Sequence, residues 1–375
     1  MSTAKPTLAE ILSEHWEGFA RQHRHMLSKA HYRAVRSVLA CRTPVLGGRL
    51  YRCGSCQRKH FAYHSCNHRS CPQCGALEQK LWSEKQEARL LPSSYFMVTF
   101  TLPEQLRPLC QSHPKELYDL MLKQSAQTLK DIIATKNKGA LTGFTSVLHT
   151  WGRKLQHHPH IHCIVPAAAL SPEDQLVLPK KDNFLVHFSP LAKRFRNLMR
   201  LELQRQHPHL YQKLSDTQKH QFSTRTTWNV QLQHVGKGKT AVRYLARYVR
   251  KSGFTNNRII GYDKDRTRLL VRWVNSTTNK PGVLKLKVHE FIRRWLLHVL
   301  PKGFARLRHY GLLSSASKKK RLKLRSLLGQ FVEPEVPVPE LLPHRCPHCD
   351  GELKFLRDIP RDISNRGPPE ILFKR

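Results

Sequence analysis

The sequence predicts an α+β fold in which a centre of mixed strands and helices lies between two helical flanks. Three observations carry this. Apolar residues recur at helical spacing over residues 8–40 and again over residues 288–299. The period changes at Tyr95–Thr101 (YFMVTFT), a β-branched and aromatic run that reads as a buried strand. And 65 Lys and Arg against 26 Asp and Glu leave a chain of 375 residues with a formal net charge of +39. That charge suits polyphosphate partners and disfavours cationic ligands. With 39% hydrophobic and 8% aromatic residues the chain can build cores, so disorder is not expected.

The elements follow in order. Residues 8–40 and 76–91 read as helices, the second closed by Leu91-Pro92. The strand at 95–101 ends at Leu102-Pro103, and residues 114–135 return to helix. Gly143–Thr150 and His158–Pro166 are strand-like, joined by the polar turn at residues 152–156. Leu191, Phe195, Leu198 and Met199 mark a helix after Pro190. Trp228–His234 reads as a strand, Lys239–Arg250 as a helix, and Arg258–Gly261 with Arg268–Val274 as a hairpin. Val288, Phe291, Ile292, Trp295, Leu296 and Val299 phase a helix that Pro301 ends. Lys318–Arg325 (KKKRLKLR) carries six basic residues in eight, and Glu333–Glu340 alternates Glu, Pro and Val as an extended linker. These changes divide the chain at 1–92, 93–280, 281–330 (helical and basic) and 331–375 (linker and tail). No apolar run of eighteen residues is present, so no membrane span is expected. The start, MSTAKPTLAEILSEHWEGF, lacks the pattern of an export signal, which makes the cytoplasm the expected location.

Four of the ten cysteines form two CxxC pairs, Cys53/Cys56 and Cys71/Cys74, with fourteen residues between them. Each tight turn presents two thiolates to one ion, and two turns complete a tetrahedral sulfur set, so a structural zinc ribbon is expected over residues 50–75. Cys66 and His68, between the pairs, can replace a ligand or lie behind one. Cys346-Pro-His-Cys349 is half of a second site; His344 and His348, or another part of the chain, can supply the rest.

The most informative stretch is His157–Pro166 (HHPHIHCIVP). Residues two apart on a strand share a face, so His160 and His162 project together while Ile161 faces the other side. Two adjacent imidazoles make a divalent-metal platform. If the two strands form a hairpin, His149 falls roughly opposite His160–Ile161. On the helix from Lys239, Val242, Leu245, Ala246 and Val249 form the buried stripe. Tyr244 and Tyr248 share a separate face with Arg247 and Lys251, and Arg243 lies near them. Two phenols on a cationic face suit nucleophiles that meet a phosphate. Gly236-Lys-Gly-Lys-Thr240 hints at a phosphate loop, but Gln233 stands where the Walker spacing requires glycine, so no nucleoside triphosphate is expected.

Taken together, HPHIHCIVP, YLARY, VLHTWG, YRCGSC…CNHRSCPQC and FIRRWLLHVLPKGFARLRHYGLL resemble bacterial insertion-sequence transposases of the HUH rolling-circle type. The closer resemblance is to the two-tyrosine group with an N-terminal zinc-binding domain. It runs from about residue 10 to about residue 330, and a CPxC-type tail is also typical. It implies an HUH endonuclease domain with a central antiparallel sheet, and Mg²⁺ or Mn²⁺ held by His160 and His162. It also implies Tyr244 and Tyr248 as paired nucleophiles that form a 5′-phosphotyrosine link. The spacing of eleven between His149 and His160 is similar to that in some conjugative relaxases. This favours His149 as third ligand, with Gln156 and His158 behind it. The implied partners are single-stranded or hairpin DNA at element ends and target DNA, in a bacterial, nucleoid-associated setting. Arg243, Arg247, Lys251, Lys318, Lys319, Lys320 and Arg321 are expected to contact DNA. Competing readings are a plasmid replication initiator or relaxase, and a non-catalytic zinc-dependent nucleic-acid-binding protein.

Overall fold

Most of the period changes become element boundaries in the computed structural model, which describes residues 5–181, 183–249, 253–275, 278–331 and 345–362. The chain begins with α1 (Leu8–Gln22), α2 (Lys29–Ala40), β1 (Gly48–Cys53), β2 (Lys59–Tyr63), α3 (Ala76–Ala88) and β3 (Tyr95–Thr101). It continues through α4 (Arg107–Ser112), α5 (Pro114–Lys136), β4 (Gly143–Trp151), β5 (His157–Pro166), and the short strands β6 (Ala169–Leu170) and β7 (Leu176–Val177). Next come α6 (Phe188–Gln206), α7 (Pro208–Gln212), α8 (Asp216–His220), β8 (Val230–His234) and α9 (Lys239–Val249). The rest comprises β9 (Ile259–Tyr262), β10 (Arg268–Val274), β11 (Pro281–Lys287), α10 (Val288–Leu296), β12 (Leu307–Gly311), α11 (Lys318–Leu327) and β13 (Leu353–Ile359). Among the described residues no helix is long and apolar enough to cross a membrane.

The single helix expected over 8–40 is two helices. Ser28 interrupts it, because its side chain accepts from the N–H of His31 while the His31 ring accepts from the N–H of Ser28, a reciprocal cap. Residues 281–330 are also less helical than expected. Val283-Leu-Lys-Leu-Lys287 alternates and pairs with β10, and Leu307–Gly311 pairs with β4. Lysines at alternate positions hide the strand period of β11 from a search for apolar runs.

Two compact units form, each from separated segments: Met1–Gln79, Arg250–Val299 and Val338–Arg375 in one, Lys80–Val249 and Leu300–Pro337 in the other. The four consecutive segments expected from composition cut across these. In the first unit, Leu8, Ile11, Leu12, Trp16 and Phe19 form the buried face of α1, and α1 packs against α2 and α10. Its strands form the sheets β13-β1-β2 and β11-β10-β9. The Glu333–Glu340 segment lies outside the described residues.

The second unit is built on a five-stranded antiparallel sheet in the order β12-β4-β5-β3-β8. Strand parity sorts its faces. Phe96, Val98, Phe100, Phe144, Leu148, Ile161, Cys163 and Val165 join one core with α5 and α6. Tyr95, Val147 and Ile164 join the other with Trp82 of α3, Leu324 of α11, and Ala241, Val242, Leu245, Ala246 and Val249 of α9. Thus the apolar stripe of α9 spends itself on the sheet, and its remaining faces are left for other uses.

Candidate active site and metal centres

The register of the β4–β5 hairpin sets His149 directly opposite His160, while Thr99 of β3 lies opposite His162. All three histidines therefore occupy the α9 side of the sheet, with Ile161 and Cys163 on the other. The imidazole centroids of His160 lie 4.6 Å from His149 and 4.7 Å from His162. One ligand atom from each of the three lies within 4.8 Å of the others. His149 Nδ1 and His160 Nε2 are 2.9 Å apart. Two ligands at right angles on an ion with bonds of about 2.1 Å would stand about 3.0 Å apart, so the pair fits a shared ion.

Neighbours orient the rings. His160 Nδ1 donates to the His158 carbonyl at 2.6 Å, which turns the Nε2 lone pair inward. His162 Nδ1 lies 2.9 Å from Thr99 Oγ1. Donation from Nδ1 to this hydroxyl leaves Nε2 unprotonated, and among the described residues that buried Nε2 has no hydrogen-bond partner. Burial pushes His160 well below the ordinary histidine range and His162 down to about 4, so both are neutral and carry lone pairs at pH 7. The donor set, three imidazole nitrogens converging in a buried place, fits a divalent transition-metal ion.

Of the two alternative third ligands, Gln156 folds back over Gly152 within the β4–β5 turn, and its Oε1 accepts from the N–H of Lys154. The His158 ring turns to Arg107, whose Nη2 lies 2.9 Å from His158 Nδ1. Its carbonyl, rather than its ring, serves the cluster. Thr99 escaped sequence reading because only the β3–β5 register reveals it.

Tyr244 leaves α9 beside the histidines. Its ring stands edge-on to the His162 imidazole, 5.8 Å between centroids and 88° between planes. The Tyr248 backbone continues α9, but its side chain and Lys251 lie outside the described residues. Arg247 is exposed. Arg243, expected beside the phenols as a DNA contact, bonds Glu87 through Nε at 3.0 Å and Nη2 at 2.9 Å, and its side chain stays largely exposed. The basic run of α11 is likewise divided. Lys318, Lys319 and Lys320 are exposed, whereas Arg321 donates to the carbonyls of Leu312 and Ser314. Arg325 is buried and donates to the carbonyls of Arg89 and Leu90. A hollow lined by Trp82, Arg89, Tyr95, His309, Lys318 and Arg321 opens on the same side of the sheet as α9.

The cysteines depart from the expected ribbon. Cys53, Cys56, Cys71 and Cys74 do not share one site. Cys71 and Cys74 gather with Cys41 and Cys66, and Cys53 and Cys56 gather with Cys346 and Cys349. β1 carries Cys53 away from the second pair, and β13 brings the tail to it. Cys66 is thus a member of a set, while His68 is not: its Nδ1 accepts from the N–H of Ser70. Cys41 had no CxxC partner to flag it. The backbone N–H of Cys56 stabilises the Cys53 thiolate and draws its pKa down to about 6. His348 approaches His60 at 5.8 Å, and His344 lies outside the described residues.

Known proteins match both parts. A family model described as “Putative transposase” matches residues 143–321, and one described as “Transposase zinc-binding domain” matches residues 11–102. The chain is 34% identical to the protein named “Putative transposase y4qJ” of Sinorhizobium fredii (strain NBRC 101917 / NGR234), over 88% of this chain and 86% of that protein. It is 30% identical to the transposase for insertion sequence element IS801 of Pseudomonas savastanoi pv. phaseolicola, over 75% of this chain and 70% of that protein. No solved structure matches the chain. With a histidine cluster and a tyrosine helix inside one matched range and cysteine sets reaching into the other, the chain belongs to the IS91/IS801-type insertion-sequence transposases, enzymes that act on DNA.

Proposed function

We propose that this transposase has the HUH fold and nicks and joins single-stranded DNA at insertion-sequence ends by rolling-circle chemistry, through a 5′-phosphotyrosine. The observation that carries the reading is the Tyr244 ring set edge-on against His162 at 5.8 Å, within a buried three-histidine cluster. His149, His160 and His162 would hold the catalytic ion. When bound, a divalent ion supplies a Lewis acid that polarises the scissile phosphodiester. Three nitrogen donors suit Mn²⁺ better than Mg²⁺, which keeps to oxygen ligands.

A phenol with an ordinary pKa of about 10 is a weak nucleophile at neutral pH, so its attack depends on a site that favours negative charge. Tyr244 Oη attacks the phosphorus and its proton passes to solvent. The bond from phosphorus to the 3′ oxygen breaks, and the departing strand keeps a 3′-hydroxyl. Tyr248, one helical turn along, receives the second strand. A 3′-hydroxyl then attacks the phosphotyrosine, restores a phosphodiester and frees the phenol. Each step exchanges one ester for another, so the joining needs no nucleoside triphosphate. Arg247, the exposed Lys318, Lys319 and Lys320, and the aromatic and basic hollow at Trp82 grip backbone and bases.

The test uses a 5′-labelled or 3′-labelled single-stranded element end with Mn²⁺. Covalent protein should be recovered on the 3′-labelled fragment, joined through its new 5′ phosphate, while the 5′-labelled fragment is released with a free 3′-hydroxyl. The Tyr244→Phe, Tyr248→Phe double variant should bind the strand and yield no adduct. Adduct formation by that variant at the wild-type rate would overturn the assignment.

A further inference from the structure

The cysteine set Cys53, Cys56, Cys346 and Cys349 has no part in the DNA chemistry, and only its first half lies in the matched zinc-binding segment, which ends at residue 102. Its two halves are turns of one kind. After Cys53-Gly-Ser-Cys56, the N–H of Gln57 donates to the Cys53 carbonyl at 3.1 Å, and Gln57 takes a φ of 58°. After Cys346-Pro-His-Cys349, the N–H of Asp350 donates to the Cys346 carbonyl at 2.9 Å, and Asp350 takes a φ of 56°. Such a turn aims two thiols at a common point, and here two of them meet across some 290 residues of chain.

The halves are fitted together. β13 pairs antiparallel with β1, so that Cys53 faces Leu353 and Arg52 faces Lys354. The N–H of Gly54 donates to the Glu352 carbonyl at 2.9 Å. A Cβ on Gly351 would stand 3.0 Å from Cys53 Sγ and 2.5 Å from Ser55 Oγ, so a side chain there would press on the thiol and the serine. Cys53 Sγ lies 3.4 Å from Cys349 Sγ, and Cys56 Sγ lies 3.7 Å from Cys346 Sγ. Zinc–sulfur bonds of about 2.3 Å in a tetrahedron separate the sulfurs by about 3.8 Å.

The adjoining strand positions point the same way. Lys59, Arg52 and Lys354 stand directly opposite one another across β2, β1 and β13. Three cations in a row destabilise a sheet unless an anion lies near. Four thiolates around one divalent zinc carry net negative charge, one ladder step from that row. His60 Nε2, 3.3 Å from Cys346 Sγ, can donate to a thiolate there.

We propose that these four cysteines bind a second zinc ion, which staples the C-terminal strand β13 to β1 and makes the zinc-binding unit depend on the far end of the chain. The site is incomplete until the tail is made, and its metal closes a very long loop, the kind of cross-link that most restricts the unfolded chain.

Metal content of the purified full-length protein tests this without DNA. The wild type should hold two zinc ions per chain. Cys346→Ser with Cys349→Ser should hold one, and Cys53→Ser with Cys56→Ser should also hold one. All four substitutions together should still leave one, because they empty the same site. On the wild type, maleimide labelling in the native state should find these four thiols protected, and a chelator should expose them together. The double tail variant should also release residues 345–362 to limited proteolysis. Iron in place of zinc, zinc content unchanged by the tail substitutions, or Cys346 and Cys349 freely labelled in the native wild type would overturn the proposal. Loss of nicking would bear on the histidine and tyrosine reading and leave these counts untouched.

Discussion

The histidine cluster and the cysteine sets reach a similar end by opposite routes. His149, His160 and His162 lie within one hairpin, and the antiparallel register that pairs β4 with β5 is enough to bring them together. The cysteine sets interleave along the chain. Cys41 joins a pair that begins at Cys71, Cys53 and Cys56 lie between its members, and those two find their partners at Cys346 and Cys349. A hairpin is a local object, so its parity decides which side chains share a face. A CxxC turn fixes only half a site, and which halves meet is a question of topology. The lesson is that spacing identifies ligand pairs with assurance and identifies sites only when the pairs share a secondary-structure element.

This contrast can be broken by experiment, and the largest effect should come at the histidines. His160→Ala with His162→Ala should reduce phosphotyrosine adduct to background while zinc content stays at the wild-type value. A parallel loss of zinc would show that the two kinds of centre are not independent. Thr99→Val removes the hydroxyl beside His162 Nδ1. It should weaken Mn²⁺ activation about 10- to 100-fold, read as a shift in the metal concentration needed for nicking, and restored by Thr99→Ser.

A pH measurement sharpens the same comparison. His157 is buried, its Nε2 lies 2.8 Å from the Tyr118 hydroxyl, and burial pulls its pKa down to about 4. The fold therefore favours the neutral ring, whereas the unfolded chain takes up a proton near pH 6.5. The stabilising contribution is present above pH 6.5 and is lost as pH falls from there to about 4. It amounts to about 3 kcal/mol, of which His157→Asn should remove the pH-dependent part. Chemical unfolding of the two proteins across that window measures it; parallel stability curves would refute it. The smallest effects belong to the exposed lysines. Lys318→Ala, Lys319→Ala or Lys320→Ala should each lower the salt dependence of DNA binding by about one charge and leave stability unchanged. Arg325→Met should do the reverse, because Arg325 is tied to the backbone of Arg89 and Leu90.

Much of this was legible before folding. The strand Tyr95–Thr101 stands where its apolar run lies, and α9 buries the stripe Val242, Leu245, Ala246 and Val249. Such residues declare their surroundings because burial of apolar area is the main driving term and imposes its period on the sequence. Features that depend on single polar partners were not legible. Ser28 splitting a helix, Thr99 orienting a histidine and Glu87 pairing with Arg243 each rest on one or two hydrogen bonds. β11 and β12 were hidden because they are short, half-exposed and rich in cations.

By itself the sequence determined that the chain is strongly basic, that paired thiols and paired imidazoles are presented on turns and a strand, and that two tyrosines share a helical face apart from its core stripe. These are local consequences of residue type and repeat. Only the tertiary structure decided which cysteines are neighbours, which arginines are consumed by the fold, and which nitrogen of each imidazole is turned inward. The reason is physical. Metal geometry and hydrogen bonding act over about 3 Å, and distances of that order between remote residues exist only once the strands have chosen their partners.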